Sequence, residues 1–87
     1  MAQPKVEIYT KMFCGYCVRA KALLDAKGVD YIEYDVTMGG PEKRAMLERK
    51  PDAVTVPQIF IDDVAIGGSD DLAALDRAGR LDAMLGL

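Results

Sequence analysis

The sequence predicts an α/β fold in which one mixed four-stranded sheet carries helices on both faces, in the order β-α-β-α-β-β-α. Two β-rich segments flank a helical segment near the N-terminus, and this order requires a right-handed crossover between parallel strands. Later in the chain, the two-residue turn Asp62-Asp63 joins two short strands into an antiparallel hairpin. The length of 87 residues predicts a single domain, 1–87.

The first half of the chain supplies the parallel pair. The first strand is predicted over residues 6–10, which are rich in β-forming side chains. The helix after it reaches Lys27, with apolar residues at the i, i+3, i+4 spacing of a buried stripe, and Gly28 ends it. Residues 31–36 alternate in polarity and are the second strand.

The second half supplies a short helix, the hairpin and a last helix. Pro41 suits the first position of a helix over residues 42–50, whose acidic start and basic end complement the helix dipole. The hairpin strands cover residues 58–61 and 64–66. Ser69 is predicted to be the N-cap of the last helix, with two aspartates in its first turn.

The composition excludes several function classes. The chain is 51% hydrophobic and 29% charged with a net charge of −3, which argues against nucleic acid or an anionic membrane as the partner. It contains no apolar run long enough to span a bilayer, and residues 1–5 lack a signal-peptide core. We therefore expect a cytoplasmic, reducing location, where two neighbouring cysteines indicate metal or redox chemistry.

Cys14 and Cys17 lie at the junction between the first strand and the first helix. The helix N-terminus and the nearby Lys11 favour a thiolate at Cys14. Cys17 lies one turn further in, so we expect it to be more buried and to remain a thiol. Cys14 would then attack a disulfide, and Cys17 would resolve the mixed disulfide that forms. This chemistry needs no histidine, and the chain has none.

Two other interpretations of the cysteine pair stay open at this point. The first is a buried pair of small hydrophobic residues. The second is half of a zinc site shared across a dimer, because a single Cys-x-x-Cys supplies only two ligands. The motif alone is a moderate signal, and the segments around it decide between these interpretations.

From Val6 onward the chain resembles a small bacterial class I (dithiol) glutaredoxin. The segments that carry the resemblance are Tyr-Thr-Lys at 9–11, Cys-Gly-Tyr-Cys at 14–17, Arg-Ala-Lys-Ala-Leu-Leu at 19–24, Thr-Val-Pro-Gln-Ile-Phe-Ile at 55–61 and Gly-Gly-Ser-Asp-Asp-Leu at 67–72. The resemblance implies a thioredoxin fold and reduction of glutathione mixed disulfides and protein disulfides, with glutathione as reductant and no tightly bound cofactor.

The resemblance also implies the site residues. Cys14 is the nucleophile, Cys17 is the resolving thiol, and Pro57 is a cis-proline that faces them. The implied glutathione groove consists of Lys11, Tyr16, Thr55, Val56, Pro57, Gly68, Ser69 and Asp70.

Glutathione carries two carboxylates and one ammonium, and the implied groove matches them. Lys11 can meet the glycine carboxylate, and the backbone of Val56 can pair with the extended peptide. N–H groups at the start of the Ser69 helix can hold the γ-glutamyl carboxylate, while Asp70 accepts from the ammonium. Tyr16 can form a wall. Taken alone, Lys11 is also consistent with a solvated lysine and Asp70 with a helix-start charge.

The chain departs from the commonest dithiol motif at Gly15, where that motif has proline. Glycine leaves the loop freer than proline would. Some glutaredoxins with glycine there resemble iron–sulfur proteins, so the alternative is a dimer in which two Cys14 thiolates and two glutathiones hold a [2Fe–2S] cluster. The intact Cys17 favours the enzyme, since cluster ligation needs only Cys14.

The expected partners follow from the enzyme hypothesis. They are glutathione and glutathionylated or disulfide-containing proteins, and the chain is expected to be a monomer. A third hypothesis makes it a dedicated electron donor to ribonucleotide reductase, which uses the same dithiol chemistry.

Overall fold

The computed structural model describes residues 3–87. Its elements in chain order are β1 (Val6–Thr10), α1 (Gly15–Ala26), β2 (Ile32–Asp35), α2 (Gly40–Arg49), β3 (Gln58–Ile61), β4 (Val64–Gly67), α3 (Ser69–Arg77) and α4 (Leu81–Met84). The predicted order of strands and helices is confirmed, and the single turn of α4 follows it. Within the described residues no helix has both the length and the apolar character needed to cross a bilayer.

The four strands form one mixed sheet in the order β2-β1-β3-β4. β1 runs parallel to β2 and antiparallel to β3, so Ile8 pairs with Glu33 on one side and with Ile59 on the other. β3 and β4 form the antiparallel hairpin. All five residues of β1 are buried, because this strand has neighbours on both edges and helices on both faces.

Two apolar clusters cover the two faces of the sheet. The larger one joins β1 and β3 to α1, α3 and α4 and consists of Val6, Ile8, Ala20, Leu24, Val29, Ile59, Ile61, Leu72, Leu81 and Leu85. The smaller one lies on the face of α2 and consists of Tyr9, Val36, Met46, Ala53 and Phe60. Each fully buried leucine contributes roughly 1.5–3 kcal/mol of transfer free energy. The prediction of helices on both faces is confirmed.

The hairpin turn has the geometry that its two residues predict. Asp62 and Asp63 have φ angles of 49° and 65°, so both adopt the left-handed conformation of a type I′ turn. Asp62 also accepts a hydrogen bond from the Lys5 amide through Oδ1, at 2.9 Å. This contact ties the turn to the residue before β1.

Two predicted boundaries are wrong, and both errors have a local cause. The N-cap of α3 is Gly68, not Ser69, because the Gly68 amide donates to Oδ2 of Asp71 at 2.9 Å and Ser69 is already helical. The second helix begins at Gly40, one residue before the predicted first position at Pro41, so Pro41 lies inside its first turn. A proline is tolerated there because its missing N–H has no partner within the helix.

A buried ion pair joins the end of α2 to the sheet. The Arg49 guanidinium donates to both carboxylate oxygens of Glu7, at 3.0 and 2.8 Å, and the Glu7 side chain is only 4% exposed. The Tyr34 hydroxyl donates to Oε2 of Glu7 at 2.9 Å, and Arg49 donates to the Tyr9 hydroxyl at 3.1 Å. The guanidinium also lies 3.9 Å from the centre of the Phe60 ring. Each polar group of the pair therefore has a partner.

We expect Arg49→Met to lower the free energy of unfolding by about 3–5 kcal/mol, since it leaves the Glu7 carboxylate buried without its cation. Urea denaturation at about pH 7 measures the loss. Asp63→Asn is the matched control. It removes only the ion pair between Arg49 and the Asp63 carboxylate, which is 80% exposed and adds little stability. The double variant Glu7→Gln with Arg49→Met should recover much of the loss. An Arg49→Met protein as stable as the parent would contradict the assigned role.

The same pair predicts a pH dependence of stability. The hydrogen bond from Arg49 is the main cause that holds the pKa of Glu7 below its ordinary value of 4.5. A carboxyl with a lowered pKa stabilises the fold above its unfolded pKa, and this stabilisation is lost as the pH falls through its folded pKa. The stability difference between the parent and Glu7→Gln should therefore shrink as the pH is lowered below about 4.5. A difference that stays constant down to the acid transition would exclude this linkage.

Candidate active site

Cys14 is the N-cap of α1. Its backbone is extended, with φ −107° and ψ 106°, and its sulfur accepts the Cys17 amide hydrogen at 3.1 Å. A sulfur in this position takes one of the N–H groups that the first helical turn leaves without a partner. A thiolate accepts such a hydrogen bond more strongly than a thiol does. The cap geometry therefore directs an N–H dipole at the sulfur of Cys14, which is half-buried.

Cys17 has the opposite environment. Its side chain is 2% exposed, and both cysteines are free. Burial and the hydrogen bond with Cys14 raise the pKa of Cys17 to about 11, while the Lys11 backbone amide and the Lys21 charge act in the lowering direction. Cys17 is therefore a thiol at neutral pH. The predicted difference in burial between the two cysteines is confirmed, and their roles as nucleophile and resolving thiol stay a prediction.

Seven of the predicted groove residues lie together in one depression of about 460 Å³, which we call the proline groove. They are Tyr16, Thr55, Val56, Pro57, Gly68, Ser69 and Asp70. The Val56–Pro57 peptide bond is cis, as the resemblance implied. The Cys14 sulfur lies 3.9 Å from the Val56 carbonyl oxygen, so it stands at the edge of this groove.

Sequence reasoning missed three further residues of the proline groove, namely Lys50, Gln58 and Asp71. Lys50 donates to Oε1 of Gln58 at 3.2 Å, and Nε2 of Gln58 donates to the Thr55 carbonyl at 2.8 Å. Lys50 adds a cation to the groove, and the buried Gln58 holds the loop that leads into Pro57. In the sequence, Lys50 serves equally well as a basic residue at a helix end, so only the tertiary contact distinguishes the two roles.

One predicted groove residue, Lys11, does not line the proline groove. It lines a second depression of about 460 Å³, which we call the charged cavity. The charged cavity is lined by Thr10, Lys11, Met12, Phe13, Cys14, Gly15, Cys17, Val18, Lys21, Glu33 and Asp35. Since β2 and β3 lie on opposite sides of β1, the charged cavity is on the β2 side of Cys14 and the proline groove is on the β3 side.

Met12 and Phe13 form an apolar rim of the charged cavity, which Cys14 also lines. Phe13 has a φ of 56°, and its side chain is 100% exposed. The Met12 amide donates to Oγ1 of Thr37 at 2.8 Å, which fixes the loop against the end of β2. Sequence reasoning missed this rim, because apolar side chains such as Phe13 are more often buried than exposed.

Gly15 leaves open space above the helix start, because a Cβ at this position would meet no heavy atom within 4 Å. The assignment of Cys14 as a ligand of a [2Fe–2S] cluster shared by two subunits stays a prediction.

Comparison with known proteins places this geometry in context. A family model described as Glutaredoxin matches residues 6–66. A glutaredoxin of Pseudomonas aeruginosa is 56% identical over 82 residues, which cover 94% of this chain and 96% of the relative. Glutaredoxin 3 of Escherichia coli is 54% identical over 80 residues, which cover 92% and 95%. The crystal structure of a buckwheat glutaredoxin–glutathione complex has a TM-score of 0.83 at 31% identity and covers 95% of this chain and 77% of its own.

The asymmetry of the cysteines predicts selective alkylation. At about pH 8, iodoacetamide should modify Cys14 and spare Cys17, because the second sulfur is both buried and protonated. Cys17 should react in the folded protein only as the pH approaches its pKa of about 11. Peptide mapping after timed alkylation measures both sites, and labelling in urea is the control for accessibility. Equal labelling of both cysteines in the folded protein at about pH 8 would contradict the assignment.

Proposed function

Because the chain belongs to the glutaredoxin family, and is therefore a thiol–disulfide oxidoreductase, we propose that it reduces glutathione mixed disulfides and protein disulfides with glutathione as the reductant. The observation that carries the proposal is the position of the Cys14 sulfur, 3.9 Å from the Val56 carbonyl at the edge of the proline groove. The relative from buckwheat, crystallised as a glutathione complex, supports glutathione as the occupant of that groove.

The proposed reaction begins at Cys14. Its thiolate attacks the glutathione sulfur of a mixed disulfide, so that a bond from Cys14 to glutathione forms and the substrate disulfide breaks. The protein thiolate leaves and takes a proton from solvent. A second glutathione then releases the bound one as glutathione disulfide. With a protein disulfide as substrate, Cys17 instead attacks Cys14, which frees the reduced protein and leaves a Cys14–Cys17 disulfide for glutathione to reduce.

The proline groove offers a partner for each charged group of glutathione. The Val56 backbone pairs with the extended tripeptide, and the N-terminal amides of α3 meet the γ-glutamyl carboxylate. Asp70 accepts from the ammonium. For the glycine carboxylate we propose two cations, Lys50 in the groove and the exposed Lys11 across Cys14. Thr55, Tyr16, Pro57, Gly68 and Ser69 form the walls.

The protein substrates we propose are glutathionylated or disulfide-containing proteins, and the chain acts on them as a monomer in a reducing compartment. The apolar rim of Met12 and Phe13 is exposed and lines the charged cavity together with Cys14. A substrate polypeptide attached to the leaving sulfur meets this rim, because the glutathione half occupies the groove behind Cys14.

The cysteine roles predict two different losses. Cys14→Ser should abolish reduction of every disulfide, because no attacking thiolate is left. Cys17→Ser should stay within about tenfold of the parent on glutathione mixed disulfides, since free glutathione resolves the intermediate. It should lose most of its activity on a protein disulfide. Steady-state assays coupled to glutathione reductase measure both substrates. Activity retained in Cys14→Ser and lost in Cys17→Ser would reverse the assignment.

The groove predicts a selective loss with glutathione. Asp70→Asn should lower kcat/KM for a glutathione mixed disulfide by roughly tenfold or more, because the ligand ammonium loses a charge-assisted partner. Asp30→Asn is the matched control, since Asp30 is an exposed carboxylate that precedes β2 at the other end of the sheet. Reaction of Cys14 with a disulfide that lacks the γ-glutamyl group should change little in either variant. An equal effect of the two substitutions would exclude the proposed role of Asp70.

A further inference from the structure

We propose that the Lys21–Glu33 ion pair controls how fast Cys17 resolves a mixed disulfide on Cys14, with Lys21 promoting and Glu33 restraining the thiolate that forms at Cys17. Both are positioning residues that act through Cys17. The inference rests on the proposed dithiol route and names the charges that regulate it.

Resolution requires the buried Cys17 thiol to lose its proton, so charges near Cys17 can set the rate of this step. In the resolving step the Cys17 S–H loses its proton to solvent, and the thiolate attacks the Cys14 sulfur. A Cys14–Cys17 disulfide forms, the bond from Cys14 to the substrate sulfur breaks, and the substrate leaves as a thiol after taking a proton from solvent. Burial opposes the negative charge on Cys17 and is the largest of the causes that raise its pKa in the free dithiol. The chain contains no histidine to accept the proton, so fixed charges near Cys17 govern the cost of this step.

This thiol lines the charged cavity together with a cation and an anion that pair with each other. Lys21 follows Cys17 by four residues on α1, so the two side chains lie on the same face of the helix one turn apart. The Lys21 ammonium lies 3.0 Å from Oε2 of Glu33, and the Thr10 hydroxyl donates to the same oxygen at 2.7 Å. All four side chains line the charged cavity. Thr10 thus holds Glu33, and Glu33 holds Lys21 close to Cys17.

The pair is partly exposed, and the Lys21 charge still reaches Cys17. The side chains of Lys21 and Glu33 are 30% and 38% exposed, so water screens them less than it screens fully exposed ions. Among the causes that shift the pKa of Cys17, the charge of Lys21 acts in the lowering direction, against burial and Cys14. The hydrogen bond with Glu33 is the main cause that raises the pKa of Lys21. The charges of Glu33, Tyr31 and Cys17 act in the same direction. Lys21 is therefore a cation throughout the reaction.

The other charged or titratable groups around the cavity are less suited to this role. The Asp35 carboxylate is engaged by the Thr37 amide at 2.7 Å, and the Lys11 side chain is exposed. Desolvation and Asp25 raise the pKa of Tyr31, so its phenol is neutral at physiological pH. Cys14 is uncharged when resolution occurs, because its sulfur is then part of the mixed disulfide. Lys21 and Glu33 remain as the opposed pair of charges.

Opposed charges predict opposite effects of two substitutions. Lys21→Met removes the cation and leaves the Glu33 carboxylate, so the Cys17 thiolate becomes harder to form. Glu33→Gln removes the anion and keeps an oxygen for the Thr10 hydroxyl, so the Lys21 charge acts on Cys17 without its counter-charge. Loss of packing alone would slow or destabilise both variants in the same direction.

The test uses 2,2′-dithiodipyridine, a neutral disulfide that does not require the glutathione groove. The full chain should release one thiopyridone as Cys14 attacks and a second as Cys17 resolves, and stopped-flow absorbance separates the two phases. Cys17→Ser should show only the first phase, which confirms the assignment of the second. Lys21→Met should lower the ratio of second-phase to first-phase rate several-fold, and Glu33→Gln should raise it.

Two control variants make the result specific to the ion pair. Lys43→Met removes an exposed lysine on α2 and should leave the ratio unchanged. Lys21→Arg keeps the charge and should restore the ratio toward the parent value. The proposal is overturned if both Lys21→Met and Glu33→Gln shift the ratio in the same direction, or if neither shifts it. If the second phase behaves as described while glutathione fails to reduce the resulting disulfide, the proposed glutathione dependence fails and the role of the ion pair stands.

Discussion

The hydrogen bond from the Cys17 amide to the Cys14 sulfur is the contact on which the site depends. At 3.1 Å it caps α1 and places partial positive charge against the sulfur that must react. The same bond sets the relation between the two cysteines, because the residue that donates the amide also carries the second thiol. One turn of helix thus separates an accessible sulfur from one that is buried and protonated at neutral pH. The cap therefore serves both folding and redox chemistry.

The central position of β1 gives Cys14 two different neighbourhoods. On the β3 side lies the proline groove, with the cis peptide bond before Pro57 and the N-terminus of α3. On the β2 side lies the charged cavity, which Lys21, Glu33 and Cys17 line together. A substrate disulfide has two halves, and a resolving thiol needs access to only one sulfur. With the proposed roles, the sheet order β2-β1-β3-β4 puts recognition of one half and control of the resolving step on opposite sides of Cys14.

The buried ion pair between Arg49 and Glu7 lies on the face of the sheet that α2 covers, and it links the packing of α2 to the proline groove. Arg49 holds Glu7 of β1 and ends α2, and the next residue, Lys50, bonds to Gln58 beside Pro57. A buried pair of this kind adds little net stability over apolar residues of the same size, but it imposes one geometry. Its position at the end of α2 fixes where Lys50 enters the proline groove. The ion pair of Arg49 and Glu7 therefore positions Lys50 in the groove, because Lys50 directly follows Arg49 in the chain.

The sequence by itself determined the order of the elements, the mixed sheet, the hairpin turn and the cysteine pair, because periodicity, turn chemistry and helix signals are local. Through segments that resemble a known family, it also predicted that Asp70 and Pro57 lie in one groove. Only the tertiary structure decided that Lys50 lines the groove, that Lys11 lies across Cys14 from it, and that Glu33 holds Lys21 beside Cys17. These contacts join elements far apart in the chain, and a charged residue at a helix end or an edge strand has the same local pattern whether it faces solvent or a partner.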